Sequence, residues 1–280
     1  MRNEKRAAKV YSPEKDFLGR LAAEDLALRL SAIKRTFEKC VIYNPASPLI
    51  AKDIQQLDSI KQLFQTASIQ DKKSLFEANS IAARSHLPFK NGSFDLFISA
   101  LTLQFINDVP GFLIQARNAL KPDGLFLSTF VGGHTLQELR SVLLEAEADI
   151  TGSANARILP FIDVRDAGSL LQRAGFALPV TDTDRLTVRY DTIFHLMRDL
   201  RWMGATNPLH KRSRSFLKRS MLERAATLYA ERHSDPDGRV RATFEIISMS
   251  GWVPHESQQK PLQPGSADVS LTQVLQTKNR

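Results

Sequence analysis

The chain has 280 residues, 42% hydrophobic and 24% charged, which is enough apolar surface for one large α/β domain and too little polar bias for a disordered chain. Its single cysteine, Cys40, excludes a disulfide framework and a metal site built on thiolates. The formal charge of +8 gathers at Arg2 to Lys9 and in "HKRSRSFLKRS", with no helix-turn-helix, zinc-finger or RNP-like signature beside it. It therefore reads as solvated surface and not as a specific nucleic-acid reader. No apolar run reaches membrane-spanning length, and "MRNEKRAAKVYSPEKD" lacks the apolar core of a secretory signal, so a cytoplasmic protein without a transmembrane segment is expected.

From Asp16, "DFLGRLAAEDLALRLSAIKRTF" sets Phe17, Leu18, Leu21, Ala22, Leu26, Leu30 and Ile33 at helical spacing. Short apolar strands follow in "CVIY", "KQLFQTA" and "SFDLFISAL", the last a nearly continuous run expected of a strand buried on both faces. "NDVPGFLIQARNALKPDG" predicts a helix capped by Asp108, with Pro110 in its first turn and a stop at Lys121 to Gly124. "LFLSTFVGG" is the next strand. "TLQELRSVLLEAEADI" predicts a helix that Thr135 would cap with Glu138 as a capping box. "DVRDAGSLLQRAGF" is another helix, stopped by Gly175. "TDTDRLTVRYD" alternates Leu186, Val188 and Tyr190 with polar residues, as an antiparallel edge strand does. Two helices then precede a last strand in "RATFEIISMSGW". The order of elements predicts a doubly wound, Rossmann-like α/β sheet. Its expected divisions are a helical segment over 1–38, a sheet domain over 39–252 with a helical insertion near 191–233, and a tail over 253–280.

"LPFKNGSFDLFISALTLQF" and "ALKPDGLFL" resemble the second half of a class I S-adenosylmethionine-dependent methyltransferase. "RLAAEDLALRL", "GGHTLQEL", "MRDLRWMGATN", "YAERHSDPDGRVRATFEIISMSGW" and "PHESQQKPLQPGSA" narrow the resemblance to bacterial relatives of the mitochondrial complex I assembly factor 5, a family close to the BioC malonyl-carrier methyltransferases. The resemblance implies a seven-stranded methyltransferase sheet, S-adenosyl-L-methionine as cofactor, and either arginine hydroxylation or methylation. It also implies a respiratory complex I subunit as partner. Carried onto this chain, it places Leu87, Pro88, Phe89, Ser99, Leu101 and Phe105 along the wall of the cofactor crevice, and it names no catalytic residue.

The family's first motif runs acid, Leu, Gly, x, Gly, x, Gly after the first strand. Here those places fall on Ile42, Tyr43, Asn44, Pro45, Ala46, Ser47 and Pro48. Pro48 lacks a backbone N–H where a helix start would donate to the ligand. The acid that takes the ribose hydroxyls falls on Ala67, with Asp71 the nearest substitute. The acid for the adenine amino group falls in Ala82, Ala83 and Arg84. These departures lead to the expectation of a cofactor-free factor in complex I assembly, with a working S-adenosylmethionine-dependent methyltransferase or arginine hydroxylase as the alternative.

Among the remaining residues, Gln104 stands where the family has a histidine and keeps hydrogen bonding without proton transfer. His134 after the fifth strand reads as solvent-facing, against a catalytic role in the crevice. His255 and Glu256 are neighbours on an extended segment and point apart, so they read as surface or tail-docking groups before catalytic ones. The six histidines show no metal-ligand spacing, and there is neither a Gly-x-Ser-x-Gly elbow nor a phosphate-binding loop.

Overall fold

A computed structural model describes residues 12–43, 47–67, 80–81, 86–209, 212 and 217–259. Strand β4 (Phe94–Ala100) is buried at every position, so helices are needed on both of its faces. Parallel strands β1 (Phe37–Tyr43), β2 (Ile60–Ala67) and β5 (Leu120–Val131) flank it, and β3 (Ser80–Ile81) adds a two-residue edge beyond β2. β6 (Ala177–Tyr190) and β7 (Val240–Trp252) close the other side, giving the order β3-β2-β1-β4-β5-β7-β6 with β7 antiparallel to both neighbours.

Alternation along the strands divides the core in two. Cys40, Ile42, Leu96 and Ile98 face one cluster, which is covered by α1 (Phe17–Ser31), α2 (Pro48–Gln55), α4 (Gln137–Thr151) and the inserted helices α6 (Ile193–Trp202) and α7 (Arg219–His233). Val41, Tyr43, Phe97 and Phe126 face the other, beneath α3 (Val109–Ala119) and α5 (Val164–Arg173). Phe97 is the centre of that second layer, with ring centroids of Tyr43, Phe112 and Phe126 at 6.3, 6.0 and 5.9 Å. Helix α1 is part of the sheet's own core through Leu18, Ala22, Leu26 and Leu30. It is pinned laterally by Arg29, which holds Asp25 at 2.8 Å and, across the fold, Asp182 of β6 at 2.6 Å.

Two local expectations change. Asp108 caps α3 as read, accepting from the Gly111 N–H at 2.9 Å. The "LKPDG" stretch does not end in a loop, however: β5 starts at Leu120 directly, and the residues to Leu125 form an irregularity in its ladder with Asp123 at φ +60°. Thr135 and Glu138 make no capping box. Leu136 stands at the N-cap of α4 with φ +56°, and both side chains turn to β7 instead. The last β5–β7 pair is Val131 with Ile246, so from there toward Val240 β7 keeps β6 on one side and has no strand on the other. Along that overhang the Thr135 hydroxyl accepts from the Glu245 N–H at 3.0 Å and donates to the Glu245 carbonyl at 3.1 Å. Glu138 accepts the Thr243 N–H at 3.1 Å. Side chains thus do for the strand edge what a neighbouring strand would do, because a buried unpaired N–H is costly.

Two predictions follow from these contacts. Thr135→Val keeps the volume and removes both hydroxyl bonds, so it should lower unfolding stability by about 1–3 kcal/mol, read from urea melts. At the far end of α4, Arg157 beside buried Glu147, helped by Asn155, holds that carboxyl below its usual range. A depressed folded value contributes stability above the unfolded value of about 4.3 and loses it as pH falls through the folded value. The urea midpoint should therefore drop more steeply on acidification below about pH 4 in the native chain than in Glu147→Gln.

Candidate functional site at the carboxyl edge of the sheet

Ligands of open α/β sheets sit beyond the carboxyl ends of the strands, where the order reverses. Here that place lies between β1 and β4. The structure gathers Ser99, Leu101 and Phe105 there. Ser99 pairs in register with Tyr43 of β1 and Ser128 of β5, and among the described residues its fully buried hydroxyl has no hydrogen-bond partner. Leu101 turns the chain with φ +52° and donates its N–H to the Thr129 carbonyl at 2.7 Å. A single 3-10 turn, Leu103–Phe105, follows. Gln104 braces the corner by donating its side-chain amide to the Leu101 carbonyl at 2.7 Å, while its own Oε1 is buried without a partner among the described residues.

Leu87, Pro88 and Phe89 stand on the segment that leads into β4, where Leu87 and Phe89 share a cluster with Phe97 and Leu103. Leu87 is tied through its N–H to Gln115 of α3 at 2.9 Å and buried beneath that helix. Pro88 is exposed. Phe89 sets its ring edge against Phe94, the first residue of β4, with centroids 5.1 Å apart.

At the end of β1, Ile42 and Tyr43 are wholly buried. Ile42 faces the cluster beneath α1 and α2, and Tyr43 lies against Phe112 of α3 at 5.0 Å. Burial pushes the Tyr43 phenol up to about 12. Strand β2 ends in Thr66 and Ala67. Among the described residues, neither strand end carries a carboxylate. The start of α2, where an anionic group would be received, is also committed. Its first residue, Pro48, has no N–H, and the next N–H, of Leu49, is taken by the buried Ser47 hydroxyl at 3.2 Å. Asn44, Pro45, Ala46, Asp71, Ala82, Ala83 and Arg84 lie outside the described residues.

The first turn of α1 comes directly against this helix start. A Cβ at Gly19 would stand 2.5 Å from the Ser47 hydroxyl and from the Asp16 carboxylate that caps α1, so only glycine permits the approach. The same end of α1 is fastened to the insertion and to β7. Lys15 sits 3.8 Å from the Trp202 ring centroid with Arg198 at 5.2 Å, and Phe17 meets Phe244 edge-on at 5.4 Å. Trp202 is thus a contact between the insertion and the N-terminal segment.

His134 is solvent-exposed beside the crevice, bonded to Gln137 at 3.4 Å. His255 and Glu256 stand at the opposite, amino edge of the sheet. There Val253 pairs with Asp123 and Gly124, Gln258 reaches Asp123 at 2.9 Å, and among the described residues the His255 ring bonds Ser257, at 2.7 Å. That position matches the preferred reading of the pair as surface or tail-docking groups. Among the described residues no three potential ligands stand close enough to hold a metal ion, and no helix is long and apolar enough to cross a membrane. The sequence reading missed Glu245, buried in β7 and paired with Arg185 at 2.9 Å. Its signal was an acid inside the otherwise apolar "TFEIISM".

A methyltransferase-domain family pattern matches residues 45–128. The chain is 38% identical over 269 residues to the mitochondrial arginine-hydroxylase NDUFAF5 of Danio rerio, covering 94% of this chain and 83% of the relative. It is 36% identical to the protein of that name from Homo sapiens, covering 98% and 81%. Among solved structures, the YcgJ protein of Bacillus subtilis superposes with a TM-score of 0.54 at 13% identity, over 83% of this chain and 99% of that one. S-adenosyl-L-methionine is the cofactor that belongs with this domain.

The two edges of the sheet separate the roles of their residues. His255→Ala and Glu256→Ala should leave any ligand binding at the carboxyl edge unchanged. Gln258→Ala should cost about 1 kcal/mol of stability in urea melts, through the Asp123 contact, again without touching binding.

Proposed function

The chain belongs to the family of the mitochondrial arginine-hydroxylase NDUFAF5, and within it we propose that this member works as a binding factor, in the cytoplasm, for assembly of a respiratory complex I subunit, without S-adenosylmethionine held in the family's usual way. The observation that carries this reading is the start of α2 together with the ends of β1 and β2. Pro48 removes one donor, Ser47 occupies the next, and Ile42 and Ala67 stand where two acids would be. An unpaired ribose diol costs about 1–3 kcal/mol, and a helix start with its first two donor positions removed or taken is an independent loss. Together they amount to several powers of ten in affinity. Among the described residues the sheet keeps helices on both of its faces, and these offer surfaces for a protein partner.

A second reading, of a working hydroxylase or methyltransferase, is favoured by Gln104. Its Oε1 is a buried acceptor without a partner at the corner after β4, beside the place where an acceptor substrate would enter. This chain's residues there would orient a donor group and exclude water.

Calorimetric titration with S-adenosylmethionine and S-adenosylhomocysteine separates the two readings, with a relative that retains the acid and glycine turn as positive control. The binding-factor reading expects no heat and no thermal shift at millimolar ligand while the control binds. Micromolar binding by this chain would overturn it, and Gln104→Ala should then lower turnover.

A further inference from the structure

Two exposed apolar side chains flank a trough between α1 and the edge strand β6. Leu28 is 70% exposed on the outer side of α1, and Val180 of β6 is 55% exposed. Strand alternation puts Val180 on the same face as Asp182. That face belongs to α1, since Asp182 takes Arg29 there at 2.6 Å and its register partner in β7, Ser248, donates to Asp25 at 2.7 Å. Arg29 follows Leu28 directly, so its bridge to Asp182 crosses the trough with Leu28 at one end and Val180 near the other. Ser250, opposite Val180, and then Trp252 continue the floor toward the amino edge of the sheet. Trp252 is half-buried against the cluster under α1.

The chain is delivered to the amino mouth of this trough. Arg35, just beyond α1, lies 5.7 Å from the Trp252 ring centroid and 2.8 Å from the Asp123 carboxylate. Gln258 reaches the same carboxylate at 2.9 Å. Residues 260–280 follow, polar and proline-punctuated except for "VSLTQVL", Val269 to Leu275. Val269 and Leu271 fall on one side of an extended chain. From Gln259 to Leu271 such a chain covers up to about 40 Å, whereas the helix rise from Ala32 back to Leu28 is about 6 Å, so reach is ample. The charges agree in sign. Asp184, exposed farther along the same face of β6, has no ion pair among the described residues, and Lys278 and Arg280 come after the apolar stretch.

We propose that this trough is the docking site of the chain's own C-terminal segment, with Val269 and Leu271 covering Leu28 and Val180 and the basic end lying toward Asp184. Its size fits that occupant. A stable interface between two folded proteins takes about 20–30 residues from each, whereas the apolar part here is Leu28, Val180 and the open part of Trp252, which a few side chains of one segment cover. Docked there, the segment joins α1 to the edge strand and withdraws the exposed apolar pair from other proteins. The trough lies on the flank of α1, apart from the crevice between β1 and β4, and the inference does not rest on whether a cofactor binds there.

Disulfide trapping in the full chain tests it, because Cys40, the chain's one cysteine, is buried. Under a mild added oxidant, Val180→Cys with Leu271→Cys should close a bond within one molecule at least about tenfold faster than Ile114→Cys with Leu271→Cys. Ile114 is 44% exposed on α3, which covers the opposite face. Adding Leu28→Asp, at an exposed position, should slow the first closure about tenfold and leave the second unchanged. Independently of these variants, truncation after Gln259 should speed amide hydrogen exchange across residues 178–182. Equal closure at the two positions, no response to Leu28→Asp, or unchanged exchange after truncation would each overturn the docking. A disulfide formed between molecules, at a rate that rises with protein concentration, would overturn it too and assign the trough to a second copy.

Discussion

Complete burial of β4 is the constraint from which the rest of the architecture follows. A strand with no wet face needs a helical layer on each side, and the chain supplies α3 and α5 beneath Phe97 and α1, α2 and α4 over Ile98. The same burial forces the strand's carboxyl end to be where the chain first regains freedom. That is why Leu101 takes a left-handed turn there and Gln104 folds back to hold its carbonyl.

The second organising feature is the unequal length of β5 and β7. A strand that outruns its neighbour exposes a row of backbone donors and acceptors, and the segment after β5 answers with Gly132, Thr135, Leu136 and Glu138. Because these groups come from a turn and a helix start in place of a flat strand, space is left beside them. The cavity lined by Glu138, Ser141 and His233 is a consequence of capping a strand edge with side chains. In this way a demand of backbone satisfaction places a carboxylate inside the protein.

Much of this was legible beforehand, for particular reasons. The apolar run "FDLFISA" reports a strand buried on two faces, and "DVPGF" reports a helix start, because each depends only on neighbours in sequence. Alternation in "RLTVRY" likewise reported an edge strand paired antiparallel. The site was legible only in its substitutions: Ile42, Pro48 and Ala67 stand out where a family pattern has other residues. That Gly19 would bring α1 against Ser47 involves segments far apart in the chain, whereas the Ser47–Leu49 bond is a local cap two residues long. Leu87, Pro88 and Phe89 could be assigned to the wall together from their motif, whereas their contacts with Gln115 of α3 and with Phe94 and Phe97 of β4 come from the tertiary packing.

The sequence by itself determined the class of fold, the order of its elements and the loss of acids at the first two strand ends, since these are properties of local pattern and residue identity. Tertiary structure alone decided which edge each polar group serves. It sent His255 and Glu256 to the amino edge through the Asp123 contact, turned Thr135 and Glu138 from an apparent helix cap into partners of β7, and left Glu138 facing a cavity. The physical reason is that a side chain's partner is set by whichever unsatisfied backbone group comes within reach after the sheet closes, and that distance is written nowhere along the chain.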